Sequence, residues 1–133
     1  MLKLSTIGIW ILRLLAAIIL LQTLYFKFSA APESIYIFSK LGMEPWGRIG
    51  TGVLELIAGL LLLVPRTTAF GAALASALMA GAIFFHITKL GISVQHDGGQ
   101  LFIYALLVFV SSVLLVIICR HDLLTVKNIR FKT

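Results

Sequence analysis

The sequence predicts an all-α membrane protein, an antiparallel bundle of four transmembrane helices, and three observations carry that expectation. Hydrophobic residues make up 60% of the 133 and charged residues only 12%, where a soluble domain carries roughly a quarter charged. The mean hydropathy is +1.08, so too little polar surface exists to face water all round. Four apolar runs, each close to the about 20 residues that cross a hydrocarbon core, use up nearly the whole chain. No segment remains to bury a separate soluble core, so residues 1–133 are expected to form one domain.

The first span is expected over residues 7–26, an apolar run broken by Arg13 and Gln22. Lys3 ahead of it and Ser29-Ala30-Ala31 behind it imitate a cleavable leader. Arg13 interrupts the run, however, and Pro32 would follow the cut, so a retained span is the better reading. Residues 27–47 form the longest connection, with Pro32 and Pro45 at its two ends. The semi-apolar stretch 34–41 between them is long enough for a short interfacial helix, with Tyr25, Tyr36 and Trp46 as headgroup anchors. The second span, residues 48–64, contains Glu55 and is closed by the Pro65-Arg66-Thr67 turn. A turn that short makes the third span, residues 68–87, its antiparallel neighbour. The cluster His96-Asp97-Gly98-Gly99 is the strongest turn signal in the chain. The last span follows it over residues 100–119, and a basic tail completes the sequence. Lys3, Arg66, Arg120, Lys127, Arg130 and Lys132 lie at one set of span ends, against Lys27, Lys40, Arg48 and Lys89 at the other. That bias places both termini on the cytoplasmic side.

Several function classes fall away. The net charge of +6 is scattered or gathered behind the last span, where it suits an anionic lipid surface rather than nucleic acid. Cys119 is the one cysteine, which excludes an intrachain disulfide, a CxxC redox pair and a cysteine-ligated metal centre. A bundle haem would need a second histidine facing His86 at similar depth, and His96 and His121 stand elsewhere. Glu44, His86, His96 and Asp97 lack the close spacing of metal ligands, so no metal site is expected. The sequence has no phosphate loop, no nucleophile elbow and no zinc-protease histidine motif.

What remains are polar residues inside the spans, which are costly in lipid and therefore face the bundle interior with a partner. Arg13 lies roughly 9 Å from the start of the first span and Glu55 roughly 13 Å from the same level on the second. An Arg13–Glu55 ion pair is the expected outcome. Gly52 and Gly59 flank Glu55 on one helix face and would let another helix approach closely. The third span carries a matching stripe, Ala72, Ala75, Met79, Ala82 and His86, and the fourth aligns Gln100, Tyr104, Leu107 and Ser111. Lys27, His86, Gln100 and Tyr104 are expected to form a polar mouth at the non-cytoplasmic end. There the imidazole would both donate and accept, and Lys27 would favour an anionic group.

In succession these residues resemble the DoxX-like family. Arg13 and Lys27 in the first span, Leu41-Gly42-Met43-x-Pro45 before the second, and Gly52-x-x-Glu55-x-x-x-Gly59 within it carry the likeness. The Pro65-Arg66-Thr67 turn, Ala82-Ile83-Phe84-Phe85-His86 and Asp97-Gly98-Gly99 continue it. The resemblance implies a four-helix protein of the bacterial inner membrane, linked in some relatives to membrane oxidoreductase complexes. One departure is Leu24-Tyr25-Phe26 ahead of Lys27, where the family pattern has a glycine. Bulk at that point would narrow the outer mouth.

Two readings of function follow. In the first, the chain is an accessory or anchoring subunit of a membrane oxidoreductase system. It would have no independent activity and would hold a quinone-like or other lipid-soluble ligand at Arg13, Lys27, Glu55, His86, Gln100 and Tyr104. In the second it is a structural or assembly protein whose polar core only fixes helix register. Membrane lipids, a partner oxidoreductase subunit and further copies of the chain are the partners these readings allow.

Overall fold

A computed structural model of the protein describes residues 6–94 and 97–124. Lys3, His96, Lys127, Arg130 and Lys132 lie outside these, as do the side chains of Arg120 and His121. The described residues form five helices: α1 (Thr6–Phe28), α2 (Pro32–Lys40), α3 (Trp46–Leu63), α4 (Thr68–Phe85) and α5 (Gln100–Leu124). All but α2 are long and apolar enough to cross a membrane. The expected fold class and its four spans are therefore found, with a short helix in the first connection.

Local chemistry sets the ends of these helices. Pro32 occupies the first turn of α2, where its missing N–H costs nothing, with Glu33 beside it and Lys40 in the last turn. Val64 is extended, with φ −93° and ψ 121°, because the residue before Pro65 is held out of the helical region. Pro65 also brings no N–H to the last carbonyls of α3. Thr67 Oγ1 donates to Leu61 O at 2.9 Å and Thr68 Oγ1 to Val64 O at 3.0 Å. At the other end, α4 widens into a π turn over His86–Leu90 and stops at Gly91, whose φ of 81° suits glycine.

The long helices pack around a ring in the order α1, α3, α4, α5. Contacts pair α1 with α3 in opposite directions: Phe28 lies against Gly52, and Leu21 against Gly59. A β-carbon at either glycine would come within 2.8 Å of those side chains, so the glycine face around Glu55 does bring the two helices close. A tighter approach lies at Gly71 on α4. A β-carbon there would sit 2.7 Å from the backbone nitrogen of Leu62 and 2.9 Å from the carbonyl of Ala58.

Small and branched side chains fill the centre of the ring: Ala16, Ala17, Leu20, Ala58, Leu62, Ala72, Ala75 and Val108. Of the stripe expected on the third span, Ala72, Ala75, Met79 and His86 are buried and Ala82 is half-buried against the core. On α5 the expected stripe needs a correction. Leu107 is exposed, and the buried line instead runs through Ala105, Val108, Ser111, Ser112 and Leu115. Alternate steps of three and four residues keep that line on one face, which Leu107 misses.

Candidate functional site

Among the described residues Arg13 and Glu55 do not pair with each other. Arg13 is 3% exposed, donates from Nε to Leu62 O and from an Nη to Leu63 O, both at 2.7 Å, and stacks 3.6 Å from the centre of the Trp10 ring. The carbonyls of the last turn of a helix have no intrahelical donor. They carry the negative end of the helix dipole, so a guanidinium fork is a good partner for them. Antiparallel packing sets Arg13 level with that end of α3, while Glu55 lies about two turns higher, roughly 10 Å away along the axis.

The same device recurs at the opposite end of the pair. Arg48, near the start of α3 and buried, donates from Nη1 to Lys27 O in the last turn of α1. Its Nε reaches both oxygens of Glu44, at 2.9 and 3.0 Å. Fourteen residues separate Arg13 from Lys27, and fourteen separate Arg48 from Leu62. Each arginine thus holds the carboxyl end of the other's helix. The sequence points to a different role for Arg13, the pair with Glu55, and marks Arg48 only as an orientation charge at a span end.

Glu55 finds its partner on the other side. Lys27 Nζ lies 3.1 Å from Glu55 Oε2. Thr23 Oγ1, one turn before Lys27, lies 3.2 Å from the same oxygen and 2.8 Å from Leu20 O. This cluster stands in the wall of a cavity of about 620 Å³. All five helices contribute to that wall, and α2 adds Glu33, Ser34, Ile37 and Phe38. Gln22, Phe26, Glu33, Ala77 and Gln100 line the cavity and are also exposed. The space is therefore open rather than sealed.

The cavity brings together five of the six residues singled out in the sequence: Lys27, Glu55, His86, Gln100 and Tyr104. Arg13 is not among its lining residues. Gln100 Nε2 donates to the Tyr104 hydroxyl at 2.8 Å, one turn apart on α5. His86 Nδ1 lies 3.0 Å from the carbonyl of Gly91, and its ring meets Phe102 edge-on at 5.6 Å. That carbonyl is five residues on, brought within reach by the π turn. The turn is a feature often found at functional sites and has no clear sequence signature here. Of Leu24-Tyr25-Phe26, only Phe26 lines the cavity, while Tyr25 points outward and Leu24 is buried.

Charge in the wall departs from expectation. Lys27 is engaged by Glu55, and the other charged lining residues are Glu33 and Asp97. Among the described residues no free positive charge is offered there to an anionic group. Asp97 organises the loop before α5: Oδ1 accepts from the N–H of Val94 at 2.9 Å and of Gly99 at 2.8 Å, and Oδ2 from Leu101 at 3.2 Å. Partial burial opposes its charge. The three backbone hydrogen bonds and the nearby His86 outweigh that and hold the carboxyl below its ordinary value. Gly98 and Gly99 follow with φ of 67° and 86°, the left-handed turn that the glycine pair signals.

The family model described as the DoxX-like family matches residues 11–115. This stretch takes in α2, α3 and α4 whole, most of α1 and α5, and every cavity residue named above. No curated protein and no solved structure matches the chain.

Proposed function

This chain belongs to the DoxX-like family of membrane proteins, and we propose that it is an accessory or anchoring subunit that holds a quinone-like or other lipid-soluble ligand in its bundle. The observation that carries this reading is the open cavity of about 620 Å³, walled by apolar side chains around Glu55, His86 and Tyr104. Small-ligand sites have this make-up: mostly apolar lining, a few convergent polar groups and a volume of about 300–1,000 Å³. A closed structural bundle would instead fill that space with the small residues that pack α3 against α4.

The reading assigns the chain binding rather than catalysis, and places it in a bacterial inner membrane with both termini cytoplasmic. Mass spectrometry of quinones and lipids that copurify in mild detergent tests the first part. A stoichiometric lipid-soluble molecule is expected, and preparations that are folded yet carry none would count against a ligand. Thiol labelling tests the second part in a Cys119→Ala background. Ser39→Cys, at an exposed position, should react from the non-cytoplasmic side alone.

A further inference from the structure

We propose that the cavity selects a neutral, lipid-soluble molecule whose head donates a hydroxyl hydrogen bond to Nε2 of His86, rather than a quinone carbonyl or an anionic headgroup. This deepens the ligand-binding reading above and rests on it.

The first observation is the direction of one hydrogen bond. His86 Nδ1 faces the carbonyl of Gly91 at 3.0 Å, and a carbonyl oxygen can only accept. The proton of the neutral ring is therefore on Nδ1, fixed by its partner, as with histidines whose second nitrogen serves a ligand. Nε2 is left as a bare acceptor. It has no hydrogen-bond partner among the described residues, although His86 is 5% exposed and lines the cavity. A carbonyl placed against it would set lone pair against lone pair, whereas a hydroxyl completes it. The expectation that this imidazole could serve donor and acceptor equally is thereby narrowed to acceptor.

The second observation is independent of the first. Among the described residues the charged groups in the wall are Lys27 against Glu33, Glu55 and Asp97, and Lys27 is held 3.1 Å from Glu55. Carboxylates in excess of cations repel a fatty-acid or phosphate head. A hydroxyl is neutral and also matches Ser34, a buried hydroxyl in the same wall. The Gln100–Tyr104 pair lies in that wall as well.

The test compares four ligands of equal tail length on detergent-solubilised protein under argon, at about pH 8, above the ordinary histidine range. They are decylhydroquinone, decylbenzoquinone, decylhydroquinone dimethyl ether and decanoic acid. Equilibrium dialysis with quantitation by mass spectrometry gives the affinities. Decylhydroquinone should bind about tenfold or more tightly than the quinone and the dimethyl ether, the loss expected when a buried acceptor is left unpaired. Decanoic acid should bind weakest. In His86→Phe the preference for hydroquinone over its ether should vanish while both still bind. Adding 1,2-didecanoylglycerol separates the sources of the hydroxyl: failure to displace decylhydroquinone assigns a phenolic head, displacement assigns a glyceride head, and either result keeps the hydroxyl assignment. Equal binding of hydroquinone, quinone and ether to the unaltered protein overturns the proposal but leaves the ligand-binding reading standing. If none of the ligands binds, that reading fails as well.

Discussion

Replacing Arg13 by Met separates two accounts of the charges inside the bundle. The structure gives Arg13 two hydrogen bonds of 2.7 Å to the carbonyls of Leu62 and Leu63. Hydrogen bonds to a charged group contribute about 1.5–3 kcal/mol each in buried soluble settings, while interhelical bonds measured in membranes average about 0.6. Two bonds therefore bracket the loss between about 1 and about 6 kcal/mol, and the longer apolar contact of Met offsets part of it. A loss of about 2–3 kcal/mol is expected. The sharper readout is a double-mutant cycle by reversible unfolding in mixed micelles. Glu55 stands about 10 Å along the axis from the carbonyls Arg13 holds, and the two share no partner. Arg13→Met and Glu55→Gln should thus add to within about 0.5 kcal/mol. Lys27→Met with Glu55→Gln should couple, because the two lie 3.1 Å apart. Strong coupling in the first cycle, with none in the second, would refute the assignment of partners.

Two further outcomes follow from the packing and the loop. Gly71→Ala should destabilise by about 1–3 kcal/mol, the range for overpacking, because the new carbon meets backbone atoms of Ala58 and Leu62 that cannot move aside. Gly81→Ala, with nothing within 4 Å, should instead stabilise by up to about 1 kcal/mol through helix propensity, and thermal unfolding in detergent measures both. The lowered pKa of Asp97 gives a signed pH effect. Its contribution is complete above the ordinary aspartate value of about 3.9 and is lost as pH falls through the lower folded value. Melting temperature in that acid range should fall less steeply for Asp97→Asn than for the parent, and identical slopes would count against the role given to Asp97.

The fold was largely legible because lipid imposes length and composition on each span, and Pro65 and the Asp97-Gly98-Gly99 turn mark where the chain reverses. The cavity residues were legible for a related reason: a polar side chain in an apolar run has few places to go, and antiparallel spans bring Lys27, His86, Gln100 and Tyr104 to one end. The partners of Arg13 and Arg48 were not. Both arginines bind backbone carbonyls at helix ends, and a carbonyl leaves no mark in the side-chain sequence. Pairing Arg13 with the nearest carboxylate overlooked those acceptors. The π turn at His86–Leu90 was equally hidden, and with it the hydrogen bond to Gly91 that decides which imidazole nitrogen is free. On α5, Leu107 was assigned to the inner face because four positions at helical spacing fit two neighbouring faces, and only packing against α1 and α4 chooses between them.

The central claim, that the cavity is a binding site rather than a packing defect, is tested most directly by filling it. Ala82, on α4 in the cavity wall, can be replaced by Trp, and the parent and Ala82→Trp proteins compared by native mass spectrometry from the same membranes. The account predicts a bound lipid-soluble mass on the parent that is lost from the filled variant while both keep the same helical content and similar melting temperatures. An equal bound mass on both proteins, or none on a folded parent, would contradict it.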